Sequence, residues 1–247
     1  MKLITLNVWG GRVRDPLFRF FDDRSEEIDI FCFQEVHSNA SDKTQAEDGK
    51  ENCSLELFND IDNILNNHKG FFRPCIEDWY GIALWVKKDF IVEEEGDIFI
   101  HRERGSYKDG DGGHHPRNLQ YAILNKDGEK FIVVNVHGLW NGKGKDDSED
   151  RINQSNKIRN FLGRFDMPKV LVGDFNLKPE TESLSLIKEG MIDLVEEYGI
   201  KDTRTSYYEK EIRFADYIFT KGVEVKDFKV LPDEVSDHAA LYLEFEL

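Results

Sequence analysis

The chain has 247 residues, 33 Lys and Arg against 49 Asp and Glu, and a formal net charge of −16. Apolar residues make up 39% of it and aromatic residues 12%, which excludes a globally disordered chain. The acidic balance argues against a protein that coats nucleic acid nonspecifically, because that binding depends on Lys and Arg neutralising phosphates. A local basic groove, or a metal ion that handles phosphate, stays compatible with it.

No apolar stretch approaches the roughly 18 residues of a membrane span, so we expect no integral membrane protein. The three cysteines, Cys32, Cys53 and Cys75, are odd in number and widely spaced, which predicts neither a disulfide framework nor a CxxC zinc site. The first residues, MKLITLNVWGG, have one lysine and a short apolar patch cut by Asn7, unlike a signal peptide. We therefore expect a cytoplasmic protein.

Apolar runs recur along the chain and are separated by Gly, Asn or Asp. Consecutive apolar positions, as in Ile132–Val134, predict strands buried on both faces. The Asp127-Gly128 pair predicts a hairpin turn, because both positions tolerate positive φ. The predicted strands are Lys2–Val8, Asp29–Gln34, Gly81–Val86, Leu119–Leu124, Lys130–Val136, Lys169–Val172, Asp216–Thr220, Val223–Val230 and Ala240–Phe245.

Helices are predicted between some of these strands. One is capped by Ser54, one starts at Asp147 or Ser148, and one covers Glu180–Lys188. The mixture of hairpins and strand–helix alternation predicts an α/β fold with mixed sheets. The long polar stretches are interpreted as surface loops within one domain that covers residues 1–247; they are Val36–Asn52 and Arg102–Pro116.

Polar signatures stand at the ends of five apolar strands. Singly, each has an ordinary structural explanation: Glu35 as a solvated loop residue, or Asp174 as a helix cap. Together they indicate a catalytic site, because strands hold side chains rigidly while the adjoining loops open to solvent. The signatures are Asn7, Gln34-Glu35, Asn135-Val136-His137, Gly173-Asp174-Phe175-Asn176 and Ser236-Asp237-His238.

The segments LITLNVWG, FCFQEV, VVNVHGLW, VLVGDFNLKPE, RFADYIFTKG and SDHAAL resemble the endonuclease/exonuclease/phosphatase superfamily, which includes deoxyribonuclease I-like nucleases, deadenylases and inositol polyphosphate 5-phosphatases. They extend from Leu3 to Leu241. The resemblance implies a four-layer α/β sandwich of two packed mixed β-sheets flanked by helices. It also implies a divalent-metal-dependent hydrolase of phosphate esters.

The resemblance further implies a metal site and its ligands. Mg²⁺, with Mn²⁺ as a substitute, is expected near Asn7, Glu35 and Asp237. These side chains offer the hard oxygen atoms that magnesium prefers, and one or two carboxylates suffice when water and substrate phosphate complete the coordination.

The catalytic roles are carried over in the same way. Asp174 orients or deprotonates the attacking water, and Asn176 donates to the phosphate. His238, as an imidazolium, stabilises the developing charge, with Asp216 fixing its tautomer. His137 protonates the leaving oxygen or clamps it.

Three residues are candidates for substrate binding. Arg117 could contact phosphate, although a surface ion pair explains it equally well. Arg151 stands in the first turn of its predicted helix, where it opposes the helix dipole, so it contacts phosphate, Asp174 or a neighbouring acid. Trp140 could stack on a base or sugar or be a hydrophobic rim residue. The adjacent His114 and His115 are given no role.

Three functions remain open at this point. The first is a metal-dependent phosphodiesterase or nuclease, acting as a monomer on a phosphate ester that includes short or single-stranded nucleic acid. The second is a phosphomonoesterase acting on a small phosphorylated metabolite or inositol phosphate. The third is a catalytically silent binding domain that keeps the fold.

Overall fold

The computed structural model describes residues 1–40, 53–108 and 114–247, which form two six-stranded sheets. The first sheet contains β1 (Lys2–Asn7), β2 (Ile30–His37), β3 (His68–Ile76), β4 (Tyr80–Lys87), β11 (Glu224–Val230) and β12 (Leu241–Glu246). The second contains β5 (Ile91–His101), β6 (Arg117–Lys126), β7 (Glu129–His137), β8 (Lys169–Asp174), β9 (Ile192–Asp193) and β10 (Asp216–Lys221). The helices are α1 (Arg14–Arg24), α2 (Leu57–Ile64), α3 (Glu149–Leu162), α4 (Glu182–Ile187) and α5 (Leu194–Glu197).

The strand order is β11-β12-β1-β2-β4-β3 in the first sheet and β5-β6-β7-β8-β10-β9 in the second. Each sheet has one parallel pair at its centre, β1 with β2 and β7 with β8, and its other pairs are antiparallel. Both sheets are therefore mixed, and with helices packed against them they form the expected four-layer α/β sandwich. Because the central strands of each sheet are parallel, their carboxyl ends meet at one edge of the sandwich.

The core explains why the apolar runs are continuous. Successive residues of β2 face opposite sides: Ile30 and Cys32 pack between the sheets, whereas Phe31 and Phe33 pack under α1 and α2. The predicted burial of these strands on both faces is confirmed. All three cysteines are buried.

The hairpin at Asp127-Gly128 is confirmed by the pairing of Lys126 with Glu129 and by φ values of 54° and 93° in the turn. Ser148 caps α3 by accepting a hydrogen bond from the backbone N–H of Arg151. Asp147 has a different role, because its carboxylate accepts from the backbone at the start of α4, Glu182 and Ser183.

Some local predictions were wrong. Ser54 does not cap α2, since its hydroxyl donates to Asp60 and accepts from Arg14. Strands β3, β5 and β9 and helices α1 and α5 were not predicted. All three strands lie at sheet edges, and edge strands carry the polar residues that hide a period-2 pattern. The polar stretch expected from Val36 begins inside β2, and its residues 41–52, like residues 109–113 of the other loop, lie outside the described part of the chain.

Within the described ranges, no helix combines the length and apolarity needed to cross a membrane.

Candidate active site

The predicted site residues meet where the central strands end. Asn7 pairs with Gln34 across β1 and β2, and His137 pairs with Asp174 across β7 and β8. Asp216, the first residue of β10, is paired with Asp174 from the other side. The two sheets thus bring their polar strand ends to a common edge.

A cavity of about 240 Å³ opens at this edge. Among the predicted residues, its wall contains the ionisable side chains Glu35, His137, Asp174, Asp237 and His238. Arg117, Trp140 and Asn176 also line it. The structure therefore brings together most of the side chains singled out from the sequence, whereas Asn7 and Asp216 lie behind the cavity wall and act on the residues that line it.

Backbone strain marks three residues of the cavity wall. Trp9, Glu35 and Asn176 adopt positive φ values of 51°, 58° and 54°, which non-glycine residues rarely take. Glu35 sits at the β-bulge where the pairing of β2 with β4 shifts between Gln34 and Val36. A bulge redirects a side chain out of the strand pattern, and strained conformations of this kind concentrate at functional sites.

The side-chain amide of Asn7 donates to two carboxylates. Its Oδ1 accepts the backbone N–H of Trp9 at 3.0 Å, so its Nδ2 faces Asp174 Oδ2 at 3.0 Å and Glu35 Oε1 at 3.3 Å. The backbone N–H can only donate, which fixes the orientation of the amide. An amide nitrogen is no ligand for Mg²⁺. In this arrangement Asn7 orients the acids, and its expected place among the metal ligands stays a prediction.

Asp174 lies at the centre of the site and is 1% exposed. Its Oδ1 accepts the backbone N–H of Asn176 at 2.9 Å. Its Oδ2 lies 3.6 Å from Nε2 of His238 and 3.8 Å from Nε2 of His137. The side chain of Asn176 turns back towards the carbonyl of Gly138, at 3.4 Å.

Asp216 and His238 form a buried pair, as the resemblance implied. Nδ1 of His238 lies 2.8 and 2.9 Å from the two carboxylate oxygens of Asp216. Burial, reinforced by the cation of Arg204, lowers the pKa of His238 to about 4. This shift favours a neutral ring, and the expected imidazolium stays a prediction. With the proton on Nδ1 facing Asp216, Nε2 presents a lone pair to the cavity.

The acids of the site fit a hard divalent cation. Asp237 accepts a hydrogen bond from Arg204 at Oδ2, at 3.0 Å, while its buried Oδ1 has no hydrogen-bond partner among the described residues. Burial raises the pKa of the Asp237 carboxyl. An unpaired carboxylate oxygen beside Glu35 is a ready ligand for a cation that prefers oxygen atoms. Asp174, Asp216 and His238 form a second group whose ligand atoms lie within 4.8 Å of one another, although the last two already bond each other.

Arg117 and His137 lie in contact within the cavity wall. Nη1 of Arg117 is 2.9 Å from Nδ1 and 3.1 Å from Nε2 of His137, and both residues are about 2% exposed. Arg117 is thus a buried cation at the cavity. Trp140 is half-buried, with Lys210 Nζ 4.9 Å from its ring centre.

Arg151 is directed elsewhere, and its predicted role in substrate binding is corrected. The side chain is 1% exposed, and its guanidinium donates to the backbone carbonyls of Leu139, Gly144 and Asp146. A guanidinium with these acceptors secures the loop between β7 and α3. Among the described residues, its guanidinium is engaged by these carbonyls and not by an adjacent acid of α3.

Several cavity residues were not singled out from the sequence. Arg204, which bonds Asp237, and Lys145, which donates to the carbonyls of Ile212 and Phe214, add two buried cations. Burial lowers the pKa of Lys145 to about 8. Both belong to loops without periodicity, so only their position in space reveals them. The wall also includes Trp9, Tyr80, His115, Tyr208 and Lys210.

Comparison with known proteins agrees with this geometry. The Endonuclease/Exonuclease/phosphatase family matches residues 4–238. The UPF0294 protein VP2298 of Vibrio parahaemolyticus is 28% identical over 130 residues, which cover 52% of this chain and 43% of that protein. The match thus spans less than half the length of that relative.

Solved structures share the fold over the whole chain at low identity. A Bacteroides thetaiotaomicron mannosyl-6-phosphatase is 18% identical, with a TM-score of 0.76 and complete coverage of both chains. The Danio rerio TDP2 complexed with a single-strand DNA product is 18% identical, with a TM-score of 0.70 and coverage of 100% and 99%. A Bacteroides vulgatus endonuclease/exonuclease/phosphatase is 20% identical, with a TM-score of 0.74 and coverage of 100% and 98%.

The strand-end carboxylates, the Asp216–His238 pair and the family match over residues 4–238 agree with one another. The chain belongs to the Endonuclease/Exonuclease/phosphatase family, whose members are phosphoester hydrolases.

Proposed function

We propose that this protein is a divalent-metal-dependent hydrolase of phosphate esters and that phosphodiesters are its first substrate class. The observation that carries the proposal is the convergence of Glu35, Asp174 and Asp237 on one cavity whose wall also holds His137 and His238. Hydrolysis of a phosphate ester needs a charge sink for the phosphoryl oxygens, an oriented water and help for the leaving oxygen.

Glu35 and Asp237 would hold Mg²⁺ or Mn²⁺, because each offers a carboxylate oxygen towards the cavity. When bound, such an ion neutralises charge on the phosphoryl oxygens. Asn7 keeps Glu35 in place through its amide nitrogen, at 3.3 Å. Arg204 keeps one oxygen of Asp237 occupied and leaves the other for the cation.

We assign Asp174 and His238 to the attacking water. Oδ2 of Asp174 and the neutral Nε2 of His238 are both acceptors, and they lie 3.6 Å apart. Two acceptors at this spacing need a donor between them, which the two O–H groups of one water supply. Asp174 then takes the proton as the water attacks phosphorus. Asp216 holds the ring in the tautomer that leaves Nε2 free.

Arg117 and His137 would contact the reacting phosphate on the side opposite the attacking water. Arg117 can contact a phosphoryl oxygen through its guanidinium, which donates only and carries a fixed charge. His137 either protonates the leaving oxygen or clamps it by a hydrogen bond. Asn176 is within reach of a phosphoryl oxygen if its amide turns from the carbonyl of Gly138.

The substrate we favour is a small ester or the end of a short, single-stranded nucleic acid. A cavity of about 240 Å³ suits a single phosphate group with little attached to it. Trp9 and Trp140 in its wall offer rings on which a base or sugar can stack. The net charge of −16 disfavours long duplex DNA.

A phosphomonoesterase is the second candidate. Arg117, Lys145, Arg204 and Lys210 all line the cavity, against the carboxylates of Glu35, Asp174 and Asp237. With a divalent ion added, the net charge of the cavity wall is positive, which suits the two negative charges of a phosphomonoester. The mannosyl-6-phosphatase among the similar structures shows that the fold also accompanies such an activity.

The two candidates are separated by turnover of bis(4-nitrophenyl) phosphate against 4-nitrophenyl phosphate, with Mg²⁺ or Mn²⁺ and again after addition of EDTA. Asp174→Asn, which keeps the side chain's shape, is the matched control for contaminating activity. Faster metal-dependent cleavage of the diester supports the first candidate, and faster cleavage of the monoester supports the second. If neither these esters nor a panel of natural phosphate esters is cleaved, the chain is a silent binding domain and the proposal fails.

We further propose that the protein acts as a monomer in the cytoplasm. The three cysteines are buried, and their odd number and wide spacing suit a reducing compartment better than a disulfide framework. Sedimentation of the purified chain tests the oligomeric state.

A further inference from the structure

A separate group of side chains that can bind a metal lies outside the residues assigned to catalysis. It combines His101 at the end of β5, His114 in the loop before β6 and Asp150 in the first turn of α3. Each residue offers one ligand atom, and these atoms lie within 4.8 Å of one another. Nε2 of His114 is 3.3 Å from Oδ2 of Asp150, and the rings of the two histidines stack with centres 4.9 Å apart.

Two ring nitrogens in this group, Nε2 of His101 and Nε2 of His114, are buried without a hydrogen-bond partner among the described residues. His101 is 7% exposed, and its Nε2 is buried without a hydrogen bond to any residue that the structure describes. A buried polar atom left without a partner is costly, and natural folds keep few of them. Asp150 and Asn153 line an adjoining cavity of about 480 Å³ together with His101, which gives an ion access and a further oxygen ligand.

The donor set selects the kind of ion. Two imidazoles and one carboxylate suit a borderline transition metal, whereas Mg²⁺ and Ca²⁺ prefer oxygen atoms alone. We propose that His101, His114 and Asp150 bind a Zn²⁺-type transition metal ion, at a site separate from the magnesium site of the catalytic cavity. The proposal does not depend on the proposed function, because it rests on other residues and another class of ligand.

The site connects a loop to the catalytic cavity. His115, the residue after His114, lines that cavity, and its ring packs edge-on against Tyr80 at 5.6 Å. The two adjacent histidines therefore face different sites. An ion that joins His114 to the end of β5 and the start of α3 would hold the position of His115, and we assign it a structural role.

The guanidinium of Arg102 would oppose binding of the ion. Its Nη2 lies 3.4 Å from Nδ1 of His114. An imidazole that binds a metal through Nε2 carries its proton on Nδ1, so the guanidinium has to turn away when the ion binds. Arg102→Ala should therefore raise the affinity for zinc, and a lower affinity would count against this assignment of ligand atoms.

The test is a titration of the purified, metal-stripped full chain with ZnCl₂ by isothermal calorimetry, in excess Mg²⁺ to fill sites built from oxygen ligands. Co²⁺ provides an independent readout, because its visible absorption reports nitrogen ligands and coordination geometry. We expect one zinc equivalent in the wild type. The double variant His114→Gln/Asp150→Asn should bind it at least about 10-fold more weakly and lose the cobalt bands.

Two controls locate the ion. His115→Gln removes the neighbouring histidine, and Glu35→Gln removes an acid of the catalytic cavity; both should keep the zinc. Equal affinity in the double variant and the wild type would overturn the proposal, as would a loss of zinc in either control. If the double variant does not fold, Asp150→Asn alone, whose side chain is half exposed, provides the same comparison.

Discussion

The side-chain amide of Gln34 donates to Oδ1 of Asn135 at 2.7 Å, joining β2 of one sheet to β7 of the other beneath the catalytic cavity. Asn135 in turn donates to the carbonyls of Phe33 and Ala83 in the first sheet. Each of the two amides belongs to a site motif: Gln34 precedes Glu35, and Asn135 stands two residues before His137. The contact between the sheets therefore also sets the distance between Glu35 and His137.

Removing this contact should cost stability. Gln34→Leu leaves Oδ1 of Asn135 without that donor, and we expect the free energy of unfolding to fall by about 1–3 kcal/mol. Asn135→Leu should cost more, because two carbonyls lose their donor as well. Urea denaturation measures both. The double variant should lose less than the sum of the single losses, and strict additivity would contradict the direct coupling.

Asp174→Asn preserves size and removes the proposed base, and its single amide oxygen can accept only one of the two hydrogen bonds that Asp174 accepts from Asn7 and the backbone of Asn176. We expect kcat on the preferred ester to fall by about 10²–10⁴-fold, together with a modest fall in Tm from the lost hydrogen bond. The measurement is steady-state kinetics at saturating Mg²⁺. A variant with near wild-type kcat would show that another group takes the proton from water.

Asp216 should act through His238. Asp216→Asn and His238→Ala each disturb the same buried pair, so their effects on kcat should not add. Kinetics of the two single variants and the double variant test this. A double variant whose loss equals the product of the two single losses would mean that Asp216 has an independent role.

Arg204 should control the metal requirement. Burial raises the pKa of Asp237, and the guanidinium of Arg204 opposes that rise. In Arg204→Gln the carboxylate of Asp237 loses the charged donor that orients it, at 3.0 Å. We expect the Mg²⁺ concentration for half-maximal activity to increase by about 10–100-fold. Lys210→Gln removes one charge from the same cavity and should leave that concentration nearly unchanged.

The role of His137 is tested by comparing substrates with different leaving groups. If His137 protonates the leaving oxygen, His137→Ala should greatly slow cleavage of an alkyl ester and affect a nitrophenyl ester less, because a phenoxide leaves with little help. If it only clamps the phosphate, both esters should slow equally. Measuring kcat/KM on both esters and the Tm of the variant separates these roles from a purely structural one, in which stability alone falls.

The burial of His68 predicts that the stability of the fold depends on pH. Burial lowers its pKa below the usual 6.5, while Nε2 donates to the carbonyl of Ile28. Below pH 6.5 the His68 imidazole is protonated in the unfolded chain but stays neutral in the folded chain. The free energy of unfolding therefore falls as pH falls through this range. We expect Tm to fall by roughly 2–4 °C for each kcal/mol lost. His68→Gln, which can still donate to Ile28, should show a shallower decline between pH 7 and 5.5; an unchanged slope would contradict it.

The amino-acid sequence by itself determined the central strands and their burial on both faces. Consecutive apolar residues such as those of β2 and β7 have no other favourable place than between two layers. The Asp127-Gly128 turn was equally predictable, because positive φ is a local preference of these residues. The strand-end residues Glu35, Asp174 and His238 followed from the same runs together with a family resemblance.

Only the tertiary structure decided which charges face one another. Arg151 and Arg204 are both arginines in or beside loops, yet one secures backbone carbonyls and the other bonds Asp237 at the cavity. His114 and His115 are neighbours in sequence but contribute to different clusters. Local sequence sets backbone preference and burial, whereas the partner of a long charged side chain depends on which distant segment the fold brings opposite it.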